Sequence, residues 1–192
     1  MAWLNSTDWY KGNPNYMTFE EAAAVDSEQF SGTNNALKKA IITFDEARFF
    51  TSVTYLTPDA FYNCKLLKRI TLPDTLTSIG YQAFRDCSSL ALTSLPSSIT
   101  SIGNSAFRGC LALKDTLYEI PSSVTKIGDR AFRDVKFPRL KFLGLTPPTF
   151  GNESIYANPN IVDCQVPSAS LAEYQQAMTV LTGAGLITIS TY

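Results

Sequence analysis

The hydrophobic residues of this chain recur at an interval of about 23 residues over its central part. The phenylalanines of one short motif are separated by 23, 23 and 25 positions. A period of this length is typical of a solenoid, in which each unit buries its apolar side against its neighbours. The motif copies are Ala60-Phe61-x-x-Cys64, Ala83-Phe84-x-x-Cys87, Ala106-Phe107-x-x-Cys110 and Ala131-Phe132-x-x-Val135.

Each unit begins with a stretch that predicts one short strand. In the clearest copy, residues 67–72, apolar side chains at alternate positions point inward, while Arg69 and Thr71 face solvent. Pro73 then ends the strand, because proline lacks the N–H that continued pairing requires.

The rest of the unit predicts a second wall and a return segment. Leu76 and Ile79 are spaced to line the opposite side of the interior, and Gly80 permits a tight turn. The Ala-Phe-x-x-Cys motif then crosses back as a short helical turn, with its Phe and Cys inside. The sequence therefore predicts an α/β leucine-rich-repeat solenoid of about four and a half units.

The flanking segments predict seals for the ends of the array, because a solenoid exposes apolar surface at each end. A capping box at Thr18 begins a helix that runs to about Phe30. A second capping box at Ser170 begins a helix that runs to about Leu181. Apolar and polar residues alternate over 186–192, which predicts a strand. The expected division of one continuous domain is an N-terminal cap at 1–50, the array at 51–145 and a C-terminal cap at 146–192.

Two units share a run that is characteristic of one family. The run Ile-Gly-x-x-Ala-Phe-x-x-Cys-x-x-Leu occupies residues 79–90 and 102–113, with Leu-Pro at 72–73 and 95–96. In these features residues 53–146 resemble the BspA-type leucine-rich repeats of bacterial surface proteins. The resemblance implies a cell-surface location and adhesion to host proteins or to other cells.

Charge and composition remove several classes of function. The 192 residues contain 16 Lys and Arg against 17 Asp and Glu, so there is no excess of positive charge to attract nucleic acid. The absence of histidine removes Ser-His-Asp and Cys-His catalysis and His-ligated zinc. No apolar run approaches the ~20 residues needed to span a bilayer. We expect no enzyme and no cofactor; carboxylate chemistry of the glycosidase type is the one enzymatic alternative.

The cysteines predict buried thiols and neither a disulfide framework nor a metal site. Cys64, Cys87 and Cys110 occupy one repeat position, where they stack as small hydrophobic side chains. Their spacing does not fit zinc patterns of the Cys-x-x-Cys type, and Cys164 lies apart from them in the terminal segment.

The solvent side of the predicted strands is the first candidate binding face. Counting back from each strand end gives Leu92, Leu117 and Phe142 as an exposed apolar strip, and such strips usually mark contact sites. In the alternative interpretation the irregular units shift register by one residue and turn these side chains inward, as Thr93 suggests. The candidate partner-binding residues are Arg69, Thr71, Leu92, Ser94, Leu117, Glu119 and Phe142.

A row of arginines is the second candidate. Arg85, Arg108 and Arg133 each follow the motif phenylalanine, so they form a column on one outer face. The column predicts either an anion-binding row or, with Asp86 and Asp134 beside it, a solvated ladder of salt bridges.

These observations predict a non-catalytic interaction or adhesion module whose partner is a host protein or a glycan. The start of the chain has neither a basic nor an apolar segment of a signal peptide. The alternative is therefore a structural or decorating subunit of a bacteriophage virion or similar assembly, formed in the cytoplasm with reduced cysteines. In that case the partner is an assembly subunit and the strip mediates homo-oligomerisation.

Overall fold

A computed structural model describes residues 41–113, 117–135, 139–156, 162–181 and 187–192 of the 192-residue chain. The helix expected at 18–30 and most of the N-terminal cap lie outside these residues. The described part is a stack of units, which we number one to four by their motif residues Phe61, Phe84, Phe107 and Phe132.

One wall of the stack is a parallel sheet of five strands that are two residues long each. Every strand pairs in register with the equivalent residues of the next unit. The strands are short because a turn from Pro73 to Leu76 precedes them and Gly80 or its equivalent follows them. This five-stranded wall contains, in spatial order, β2 (Tyr55–Leu56), β4 (Ser78–Ile79), β5 (Ser101–Ile102), β7 (Lys126–Ile127) and β9 (Thr149–Phe150).

The opposite wall, here called the front wall, has two parallel sheets separated by an irregular stretch. In unit two, residues 91–95 form no strand, and the Ala91 amide donates to Lys68 O at 2.9 Å. The sheets on either side are β1 (Thr43–Phe44) with β3 (Arg69–Ile70), and β6 (Leu117–Ile120), β8 (Arg139–Phe142), β10 (Val162–Val166) and β11 (Ile187–Thr191), in that order.

The return segments form a third wall, here called the turn wall, which joins neighbouring units by backbone hydrogen bonds. Within a turn, amides such as that of Tyr62 donate to the carbonyl three residues earlier. The amides between them donate to the next unit, as Phe61 N does to Ala83 O, at 2.7–3.1 Å throughout the wall. The turn residues are 58–64, 81–87, 104–110, 129–135 and 152–156.

Left-handed backbone conformations allow the amides of each turn to alternate between hydrogen bonds within the turn and hydrogen bonds to the next unit. Two positions in each complete turn have φ between 52° and 74°, so the chain turns back and does not continue as a helix. One of the two columns holds Asn, Asp or Gly, the residues that adopt this conformation most readily. The columns are Asp59, Gln82, Ser105, Arg130 and Glu153, and Asn63, Asp86, Gly109 and Asp134.

The motif phenylalanines form a stacked column inside the solenoid. Their ring centroids lie 5.2, 5.2 and 5.3 Å apart, and their planes are nearly parallel. All four rings and the alanines that precede them are buried, as are the cysteines three residues on. The inward orientation expected for Phe and Cys is thus confirmed.

The C-terminal segment packs a helix against the last units. A 3-10 turn at Ser168–Ser170 leads into helix α1 (Leu171–Ala177), and a second 3-10 turn follows at Met178–Val180. Tyr174 of this helix is buried, contacts the Phe142 ring at 5.3 Å between centroids and donates its hydroxyl to Gly144 O at 2.9 Å. The helix therefore covers apolar surface at the end of the array.

We predict that Phe84→Ala lowers the free energy of unfolding by about 3–5 kcal/mol, because it removes a fully buried ring from the middle of the column. Urea unfolding of purified protein measures the change. Leu111→Ala, at an exposed position, is the matched control and should change stability by less than about 0.5 kcal/mol. A loss below ~1 kcal/mol for Phe84→Ala would refute the buried column.

Candidate functional site

The N-terminal part of the front wall presents a fixed ion pair. Arg69 on β3 donates from Nε to Asp45 Oδ2 at 2.7 Å, and Thr71 donates to the other carboxylate oxygen at 3.1 Å. The hydrogen bond from Arg69 holds the pKa of Asp45 below its ordinary value. Both Arg69 and Thr71 are exposed, as predicted, and Asp45 limits the orientations that they present to solvent.

The predicted apolar strip is absent from the front wall. Leu92 is 4% exposed and Phe142 is 1% exposed, so the prediction that they face solvent is wrong. Leu117, the third member of the strip, is half-buried.

A shift of strand register is the reason. In unit two Leu92 and Leu95 both point inward with Thr93 and Ser94 exposed between them, so one extra residue bulges outward relative to unit one. In unit four, Leu140 and Phe142 are the inward pair of β8. The register alternative that the sequence left open is therefore confirmed for Leu92 and Phe142, whereas Leu117 stays on the outer side of β6 with Glu119.

The C-terminal part of the front wall carries charged and apolar groups together. Lys141 Nζ lies 3.5 Å from Glu119 Oε1 and 4.2 Å from the centre of the Tyr192 ring. Tyr192 donates its hydroxyl to Phe142 O at 2.9 Å. Leu143 and Leu145 are exposed next to this group, the latter at 67%. This part of the wall combines a partly desolvated cation with aliphatic surface.

Glu119 was predicted to lie on this face, whereas Lys141 and Tyr192 were not. The alternation Arg139-Leu140-Lys141-Phe142 was the available signal, because period two places Lys141 opposite the buried side chains. Tyr192 joins the site only through the pairing of β10 with β8 and β11, which the sequence does not reveal.

The arginine column lies on the turn wall and is compensated by carboxylates. Arg85 Nε lies 3.3 Å from Asp86, Arg108 Nε lies 3.4 Å from Asp134, and Arg133 Nη1 donates to Glu153 at 2.6 Å.

Tyrosines flank the same column. The Arg85 guanidinium lies over Tyr62 and that of Arg133 over Tyr156, with distances of 5.6 and 5.3 Å to the ring centres. Of the two alternatives, these contacts favour the ladder of salt bridges, because each guanidinium already faces an anion or a ring.

The thiols are buried and hydrogen-bonded to backbone. Cys87 donates to Phe61 O at 2.9 Å and Cys110 to Phe84 O at 3.1 Å, in each case one unit back. Burial raises the pKa of Cys110 and raises that of Cys164 to about 12. Such thiols are poor nucleophiles and poor ligands, since both roles need the thiolate. Within the described ranges, no group of three or more His, Cys, Asp or Glu is placed to hold a metal ion.

The stacked units, parallel strands and repeated apolar columns define a leucine-rich-repeat solenoid. The family model described as BspA type leucine rich repeat region matches this chain in six copies, over residues 33–162 and 116–178. The chain belongs to the BspA-type leucine-rich-repeat family. No curated protein matches it.

Solved structures share the fold at low sequence identity. The pneumococcal vaccine antigen PcpA aligns with a TM-score of 0.54 and 18% identity over 79% of this chain, which spans 42% of PcpA. A T. pallidum leucine-rich-repeat protein gives a TM-score of 0.46 and 23% identity over 77% of this chain and 79% of its own. A leucine-rich cell surface protein of Faecalibacterium prausnitzii gives a TM-score of 0.41 and 24% identity, over 73% of this chain and 37% of its own. In the described segments of our chain, no helix has the length and apolar character to cross a membrane.

We predict that all four thiols are free in the native protein. Unfolding without reductant should expose four groups to a thiol reagent, while the native protein should react slowly because the sulfurs are buried. A count of two or fewer after unfolding would contradict the prediction.

We also predict a loss of stability at alkaline pH. The pKa of buried Cys164 is raised from 9.0 to about 12, so its protonated form stabilises the fold fully below pH 9. That contribution declines as pH rises through 9 towards about 12, since the unfolded chain then releases the proton first. Unfolding free energies measured against pH should fall less steeply in Cys164→Ala than in wild type or in Ser97→Ala, an exposed control. Equal slopes of unfolding free energy against pH for all three proteins would contradict the prediction.

Proposed function

We propose that the protein is a non-catalytic interaction module that binds a protein partner through the front wall. The observation that carries the proposal is the group formed by Glu119, Lys141 and Tyr192, with Leu143 and Leu145 beside it. None of these side chains belongs to the buried core of the stack.

The chemistry of this group supports a protein ligand. Side chains that are already held by neighbours lose little freedom on binding, and this lowers the cost of association. An exposed leucine pair next to a tyrosine offers apolar area for the centre of a contact, while the charges of Glu119 and Lys141 set orientation and reject mismatched partners. The Asp45, Arg69 and Thr71 network supplies a second fixed polar group on the same wall.

Membership of the BspA-type family supports adhesion at a cell surface as the setting of this contact. Solenoids of this kind keep a constant interior while their outer residues vary, so the partner depends on the front-wall side chains. The proposal therefore predicts that charge changes there alter binding without altering the fold.

The test uses the immobilised chain and a panel of purified host-surface and matrix proteins, measured by biolayer interferometry. Lys141→Glu should weaken binding of the selected partner by about tenfold, which corresponds to ~1.4 kcal/mol. Lys126→Glu makes the same charge change on the five-stranded wall and should bind as wild type does.

Light scattering of each variant checks that its mass is unchanged. Equal weakening by both variants, or no weakening by Lys141→Glu, would contradict the front wall as the binding face. A stable oligomer that Lys141→Glu dissociates would instead identify a copy of this chain as the front-wall partner.

A further inference from the structure

Two tyrosines are exposed where units one and two meet, at the edge between the five-stranded wall and the turn wall. Tyr55 on β2 is 36% exposed, and Tyr81, which follows β4, is 49% exposed. The Tyr55 hydroxyl lies against Gly80, where an added Cβ would come within 2.8 Å of that oxygen. The two aromatic side chains therefore flank a piece of backbone that carries no side chain of its own.

A carboxylate and an amide are held beside Tyr81. In the orientation that satisfies the Gln82 amide, its oxygen accepts from the Tyr81 hydroxyl at 2.7 Å and from Arg85 Nη1 at 2.6 Å. Its nitrogen then donates to Asp59 Oδ1 at 3.2 Å. The Asp59 amide donates to Tyr81 O at 2.9 Å, which ties unit one to the tyrosine. These bonds fix planar polar groups at the edge of an exposed ring.

The fold does not need a tyrosine at this place. In units three and four the equivalent residues are Asn104 and Asp129, and each accepts the backbone amide of the next unit through its side-chain oxygen, at 3.0 and 2.8 Å. The Tyr81 side chain has no oxygen that reaches the backbone amide of the next unit. The column of side-chain oxygens that accept such an amide therefore begins at Asn104. A residue that breaks a stabilising column without a structural gain is typical of a functional position.

The five-stranded wall beside the tyrosines is polar and carries few charges. Beside them the wall presents hydroxyl groups, and those of Thr77 and Thr100 donate to the preceding unit at 2.9 and 3.1 Å, which leaves their oxygens as acceptors. Among the described residues on the outer side of β2, β4, β5, β7 and β9, Lys126 alone is charged. This electrostatic character matches an uncharged, hydroxyl-rich ligand and gives no attraction for a polyanion.

We propose that Tyr55, Tyr81, Asp59 and Gln82 form a binding site for a neutral glycan. The apolar face of a sugar ring packs on the exposed tyrosines, whose rings combine an apolar body with a polar edge. Sugar hydroxyls donate to the Asp59 carboxylate, a charge-assisted hydrogen bond, and accept the second N–H of the Gln82 amide. The site lies on a different wall from the proposed protein contact, so neither depends on the other.

The experiment compares wild type with Tyr81→Asn. Uncharged oligosaccharides of glucose, galactose, mannose and N-acetylglucosamine are titrated at millimolar concentration, with calorimetry and amide NMR shifts as readouts. Tyr81→Asn removes the ring but restores the side chain found in unit three, so its stability should not fall below that of wild type. We expect at least one of these sugars to bind wild type and to bind the variant at least about tenfold more weakly.

Leu111→Asn is the control, because it removes a similarly exposed apolar side chain, 48% exposed, from a position outside both proposed sites. It should bind the sugar as wild type does, and NMR shifts in wild type should map to units one and two. The proposal is overturned if no neutral sugar binds, if only an anionic glycan such as heparin binds, or if Tyr81→Asn binds as tightly as wild type.

Discussion

The spacing between units, fixed by backbone hydrogen bonds on all three walls, is the constraint on which the structure depends. At that spacing an added Cβ at Gly80, Gly103 or Gly151 would come within 2.4–2.7 Å of the backbone of the preceding unit. Only glycine fits there, and the alanines that precede the stacked rings are fully buried. In unit one, Thr57 takes the glycine position, and β2 is the edge strand of its sheet among the described residues.

The same spacing also determines most of what the outer side chains do. Thr75, Ser98 and Ser123 each donate to a carbonyl of the preceding unit, and the arginine column is neutralised by carboxylates in its own or the next unit. A repeated outer residue is therefore more often part of the stack than part of a binding site. Residues that differ from their column, such as Tyr81, or that lie outside any column, such as Tyr192, are the better indicators of function.

The sequence predicted the interior well because each interior column repeats a single residue type. Phe61 and its equivalents are stacked as expected, and the thiols lie where the motif places them. The strand register was predicted correctly for the regular unit around Arg69 and for β6, where Leu117 and Glu119 lie on the outer side as counted. A count from Leu-Pro assumes a constant number of residues between inward positions, and the bulge between Leu92 and Leu95 violates that assumption. The fifth turn, residues 152–156, was not predicted, because Ser154 and Ile155 occupy the positions that hold Ala and Phe in the earlier units.

Site residues were harder to predict than core residues for a related reason. The contact between Lys141 and Tyr192 joins positions whose separation along the chain is not a motif spacing, and the contact between Asp59 and Gln82, one repeat of 23 residues apart, involves side chains outside the apolar pattern. They become neighbours only once strand order and the left-handed turns are known. In a solenoid each unit is stabilised mainly by its immediate neighbours, so a change at Tyr81 is felt in units one to three and not at β8 or β11. Two walls of one short array can thus hold separate ligands, because the stack couples them only weakly.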